Sequence, residues 1–241
     1  LTHVKAVLFS PELVETIRLA PAGRRRMINI LATQWKPEIA GLLQRYAKAV
    51  HQRNALLVQI QKKQQPENVL SPWDVLLAEI GAELSKLRAA FCDFLTPELE
   101  ALVQTTIAQS VQLVYLPGGT EGSVPTQAEF LKKYALARER DLRVGATTVG
   151  PHRDDLKIIV DDRPLLTHGS RGELRLVTLL ITLAAYRLFS AQDPSFTFLF
   201  DDIASEFDIG RLRALQTVIP KSIRVIATST EPSIETLFPD I

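Results

Sequence analysis

Cysteine is almost absent. The single Cys92 rules out an internal disulfide and fits a reducing compartment. Its apolar neighbours at helical spacing mark it as a buried, inert thiol. Long apolar runs are missing as well. The longest, Leu176 to Tyr186, is closed by Arg175 and Arg187, and a bilayer-crossing helix needs about 20 such residues. No membrane span is expected. No secretory leader precedes the first elements, so the expected location is the cytoplasm. The chain opens on Leu1 rather than methionine, with strand-like residues from Val4 onward, as in a chain from which something has been removed. Excess charge is also lacking: the net value is +1.

That mean conceals an asymmetry. From Arg24 to Lys63 there are nine Lys or Arg and one acid, Glu38. Such a split points to an anionic partner for that stretch. Three regions follow along the chain. Residues 1–21 hold a strand, Val4 to Phe9, and then Ser10-Pro11-Glu12, a helix cap with proline at the first helical position. Residues 22–109 are helical throughout. Apolar side chains recur at alternate spacings of three and four at Ile39, Leu42, Tyr46, Ala49, Leu56 and Ile60, with Arg53 the exception. They recur again at Leu77, Ile80, Leu84, Leu87, Phe91 and Phe94. These heptad seams predict two antiparallel helices forming an arm about 40 Å long, with a further helix starting at Leu95-Thr96-Pro97.

Residues 110–241 change character. Strand Val111 to Leu116 leads into a Gly-rich loop, Pro117 to Pro125, and a helix from Thr126 to Arg140. A hairpin follows, with strands Leu156 to Val160 and Pro164 to Thr167, and then a long helix from about Arg171 to Phe189. Phe196 to Phe200 reads as a strand covered on both faces, followed by a helix near Ile209 to Val218 and a strand from Arg224 to Thr228. Strand, helix, strand is an α/β unit with parallel strands.

The buried strand Phe196 to Phe200 ends in Asp201-Asp202, which places two carboxylates where open α/β sheets bind ligands. There the first suits Mg²⁺, which prefers hard oxygen ligands, and the second can orient or deprotonate a water. About 30 residues upstream, Ser170-Arg171-Gly172-Glu173 opens the long helix, where amide groups, a hydroxyl and the helix dipole favour an anion. Downstream come Ser205-Glu206-Phe207-Asp208 and Thr228-Ser229-Thr230. A plain helix cap and a solvated carboxylate pair would explain the first two motifs taken singly. Their fixed order is harder to explain that way. His152, Asp154, Asp155 and His168 could be read as metal ligands, but a turn leading into the hairpin accounts for the first three more simply.

This order resembles the SMC-class ABC ATPases, and within them the RecF family. The residues that carry the resemblance are Leu8-Phe9-Ser10-Pro11-Glu12, Arg24-Arg25-Arg26, Gln52-Arg53-Asn54-Ala55-Leu56-Leu57 and Thr147 through Leu156. Ser170 through Arg175 and Asp201 through Asp208 complete the set. The resemblance implies an α/β ATPase lobe with a helical arm. It also implies an ATP-dependent DNA-binding repair protein that needs ATP and Mg²⁺, forms a homodimer on ATP binding and works with RecO and RecR. Asp201 is then the metal carboxylate and Asp202 the catalytic position. Ser170, Gly172 and Glu173 form the signature that contacts nucleotide in trans. Ser205, Glu206 and Asp208 form the D-loop, Thr228 is the switch, and Ser10 to Glu12 correspond to the Q-loop. Arg24, Arg25, Arg26, Arg45, Lys48 and Lys62 are the expected DNA contacts.

Three departures stand out. No phosphate loop is present, since Gly118 through Ser123 lacks a Gly-Lys-Ser/Thr ending. The chain by itself is therefore expected to hold nucleotide weakly and to hydrolyse no ATP. Glu173 stands where the family has glutamine, and Leu13 where it has an acid. The alternative is a non-catalytic dimerisation or partner-docking remnant of such an ATPase.

Overall fold

The computed structural model describes residues 5–201, 219 and 224–228. They fall into two compact units, and each is discontinuous in sequence. Unit one comprises residues 1–27, 92–114 and 157–241, and unit two residues 28–91 and 115–156.

Unit one is built on a parallel sheet of β1 (Ala6–Phe9), β5 (Thr197–Phe200) and β6 (Val225–Ala227), in the order β1-β5-β6. Alternation along β1 sends Val7 and Phe9 into the core and leaves Leu8 exposed. Helix α1 (Pro11–Leu19) starts on Ser10, whose hydroxyl accepts the Leu13 amide at 3.3 Å. Helix α7 (Arg171–Gln192) packs on β1 and β5. Its apolar length and mean hydropathy of 1.5 are enough to cross a membrane, yet 72% of that window is buried. It is the core helix of an α/β unit. Phe9, Phe198, Phe200 and Tyr186 meet edge to face, with ring centroids 4.6 to 6.3 Å apart.

Unit two holds α3 (Glu38–Gln61), the first part of α4 (Ser71–Ile107) and α5 (Gln127–Val144). Helix α5 begins on a reciprocal capping box of Thr126 and Glu129 and ends on Gly145 in the left-handed region at φ 72°. The arm expected from two heptad seams thus contains a third helix, because Phe130, Tyr134 and Ala137 bury their side chains and α5 packs against α3. Helix α2 (Pro21–Trp35) precedes these, and the chain passes between the units within α2 and again within α4.

Two local expectations differ from the structure. Helix α4 continues through Pro97, where a new helix was expected. Leu95, Leu99, Leu102 and Val103 are all buried around the proline, and that packing offsets a helix-interior proline's cost of about 3 kcal/mol. The hairpin is shorter than expected. Strand β2 (Val111–Leu116) lies beside β3 (Asp155–Val160), which pairs with β4, only Arg163–Pro164. Residues Leu165–His168 then form α6, a single helical turn that buries Leu165. Asp161 and Asp162, at φ 44° and 62°, make the tight turn. The helix expected near Ile209 to Val218 lies outside the described residues.

Candidate nucleotide site and a buried ionic cluster

The three parallel strands of unit one end in register. Phe9 pairs with Phe200 and Phe200 with Ala227. The residues that follow, Ser10, Asp201 and Thr228, therefore stand in a row at the carboxyl edge of the sheet. Backbone bonds fix the row: the Asp201 amide donates to the Phe9 carbonyl at 3.0 Å, and the Thr228 amide to the Phe200 carbonyl at 2.9 Å. The Thr228 hydroxyl donates to Asp201 Oδ1 at 2.7 Å. Among the described residues, no three His, Cys, Asp or Glu converge on a metal position. One exposed carboxylate beside a hydroxyl still suits Mg²⁺, which commonly takes one or two carboxylates and fills its shell with water and phosphate oxygens. Asp202, Ser205, Glu206 and Asp208 lie outside the described residues.

Ser170 caps α7. Its hydroxyl accepts the Glu173 amide at 3.1 Å, and the Glu173 carboxylate accepts the Ser170 amide at 2.7 Å. Glutamine could accept that amide through its own carbonyl oxygen, so Glu173 preserves the reciprocal cap. Gly172 follows in the first turn, and Arg171 is exposed. A cavity of about 370 Å³ adjoins this terminus, with Arg163, His168, Gly169 and Glu173 in its wall.

The basic residues separate into two groups. Arg45 and Lys48 are exposed on α3, Lys62 just past its end, and Arg26 on α2. Arg25 is half-buried. Arg24 is only 6% exposed, and its guanidinium donates to the Ile17 carbonyl at 2.8 Å. That bond ties the Arg24 side chain to α1. Arg45 also borders a cleft of about 520 Å³ that Glu79, Glu83 and Lys86 share.

The sequence reading missed the most densely bonded residues in unit two. Arg53, the exception in the heptad seam, has no exposed surface. It donates to Asp74 at 2.8 Å, to Asp141 at 2.7 Å and to the Thr147 hydroxyl at 3.0 Å, and lies over the ring of Tyr134. Asn54 accepts both the amide and the hydroxyl of Thr147 at 2.7 Å, and Thr148 bonds Asp141. Nearby, Arg88 donates to Asp154 at 2.9 Å and to the Pro151 carbonyl at 2.8 Å. Asp154 also accepts the Tyr115 hydroxyl and the Gly118 amide. Burial pushes the Asp154 carboxyl above its ordinary range, against the opposing pull of Arg88. The Thr147 carbonyl can only accept, so His152 carries a proton on Nε2, and its Nδ1 lies 2.9 Å from the Tyr46 hydroxyl. Burial raises both neighbouring phenols, Tyr134 to about 12. Gly150, at φ 129°, leaves room for the Tyr46 and Tyr134 hydroxyls that a Cβ would strike. The segments around Arg53 and Gly150, distant in sequence, thus meet in one buried network. In the sequence its signals were an arginine at a core position of a heptad and the two segments, around Arg53 and from Thr147 to Leu156, that carry the family resemblance; neither shows that the segments meet.

One unit thus carries a parallel sheet with a carboxylate and a hydroxyl on its carboxyl edge and a capped helix packed on it, and the other is built of helices. No family model matches the chain. It is 31% identical over 235 residues to the DNA replication and repair protein RecF of Ruminiclostridium cellulolyticum, an overlap of 95% of this chain and 63% of that protein. Two solved structures of the recombination mediator protein RecF in the RecFOR pathway, RecF-ATPrS and RecF-ATP, share the fold with TM-scores of 0.83 at 24% identity. The first match covers 95% of this chain and 63% of that one, the second 94% and 62%. The chain is RecF-like, and it spans 63% of the length of the RecF protein it matches in sequence.

Proposed function

We propose that this chain is part of an ATP- and DNA-binding protein of recombinational DNA repair and replication, working in the cytoplasm with RecO and RecR. The observation that carries the reading is the row of Ser10, Asp201 and Thr228 on the sheet edge. ATP with Mg²⁺ would bring the phosphoryl group and the charge neutralisation that its transfer needs. Asp201 would hold the cation, directly or through water. Asp202, one residue on, takes the proton of the attacking water.

The second half of the reading is assembly. Helix α7 has 22 residues, about 33 Å at 1.5 Å per residue, and the four residues of β5 span about 13 Å. Only a short turn joins the two, so the α7 start overshoots the carboxyl edge by roughly 10–20 Å. A helix start that far beyond the sheet suits the nucleotide of a second copy. That geometry supports an ATP-dependent homodimer in which the signature acts in trans.

In the full-length protein, Asp202→Asn is expected to leave nucleotide binding intact and to slow hydrolysis about 10²- to 10⁴-fold, the usual contribution of a general base. Unchanged turnover removes Asp202 from that role. The rival reading, a non-catalytic dimerisation or partner-docking module, requires that the unsubstituted full-length protein hydrolyse no ATP.

A further inference from the structure

Thr228 was expected to be the switch, a hydroxyl that senses the γ-phosphate. To recognise a phosphate oxygen, that hydroxyl must donate its hydrogen. A threonine has one such hydrogen. Here it is already given to Asp201 Oδ1 at 2.7 Å, an acceptor-only group when ionised. The bond is not an accident of a loose side chain. Both residues stand one position beyond strands paired in register, Phe200 with Ala227. Their backbones are tied to the sheet by the Asp201 amide on Phe9 and the Thr228 amide on Phe200.

We propose that Thr228 is a positioning residue for the metal carboxylate rather than a γ-phosphate sensor. The inference rests on the ATP reading above. By binding Oδ1, the hydroxyl fixes the rotation of the Asp201 carboxylate and leaves its other oxygen for the cation or a water of its shell. Partners that orient a metal ligand in this way typically change metal affinity 10–100-fold when removed. A sensor, by contrast, changes the preference for ATP over ADP.

The two roles separate in one titration. Full-length protein and its Thr228→Val and Thr228→Ser variants are titrated with a fluorescent ATP analogue and the matching ADP analogue at Mg²⁺ concentrations from micromolar to tens of millimolar. Valine keeps the β-branched shape that suits the strand end and removes only the hydroxyl. The expected result for Thr228→Val is a Mg²⁺ midpoint at least about tenfold higher, with the ATP-to-ADP affinity ratio at saturating Mg²⁺ unchanged. Thr228→Ser, which keeps the donor, restores the midpoint. An unchanged midpoint in Thr228→Val overturns the positioning role, whether or not the ATP-to-ADP ratio falls; a falling ratio returns Thr228 to γ-phosphate sensing. If the unsubstituted protein itself shows no Mg²⁺-dependent nucleotide binding, the ATP reading fails and the inference falls with it. That failure is visible before any variant is made.

Discussion

Arg53 shows how one residue can invert a pattern. At its place in the heptad seam an apolar side chain is the default, and a guanidinium there reads as a flaw. Its partners Asp74, Asp141 and Thr147 lie 21, 88 and 94 residues away in the sequence, so no local rule could find them. Removing one member of a buried ion cluster leaves the others charged and unpaired, which typically costs 3–5 kcal/mol. Arg53→Met, which keeps the length and drops the charge, is therefore expected to destabilise the chain by about 3–5 kcal/mol in denaturant unfolding. A loss below about 1 kcal/mol would mean that Asp74 and Asp141 do not depend on it. The place of Asp201 at the sheet edge was legible for the opposite reason. Asp201 owes its position to a short buried strand ending in a carboxylate, a pattern contained within six residues.

At the level of elements, helix α3 carries its exposed cations on one face, with no acid between Ile39 and Lys63. Duplex phosphates could be neutralised along that face without any reading of base sequence. Replacing Arg45 and Lys48 by glutamate is expected to weaken DNA binding and to lower the slope of log affinity against log salt by about two. Both side chains are exposed, so thermal stability should hardly change. Lys48 should contribute more than Arg45, which shares its cleft with Glu79 and Glu83. Anisotropy titrations at several salt concentrations measure both effects, and an unchanged slope would return the face to simple solvation. The helices themselves were legible from apolar spacing and caps. Their joins were less so. Pro97 reads locally as a start signal, but buried leucines on both sides carry α4 across it. The third helix of unit two was visible in sequence as a helix, but its packing on α3 was not, because that contact depends on tertiary structure alone.

For the whole molecule, the proposed dimer gives the sharpest test. Ser170→Arg is expected to spare nucleotide binding by the single full-length chain and to block assembly, because a long cation would enter a phosphate-binding interface. Loss of the α7 cap costs only about 1 kcal/mol, too little to unfold the protein. Sedimentation with a slowly hydrolysed ATP analogue measures the outcome, and a normal dimer would remove Ser170 from the signature role. The pairing of β1 with β5 has a further consequence, in time rather than space. Ala6 lies opposite Thr197, so a ribosome adding about 5–20 residues per second releases the second strand roughly 10–40 s after the first. Until then Val7 and Phe9 lack the β5 strand that lies beside them in the fold. The arm can close on itself meanwhile, since its last segment ends near Leu156. The nascent chain thus passes through a stage in which the helical unit is finished and β1 still waits for β5, the stage at which a chaperone would have something to hold.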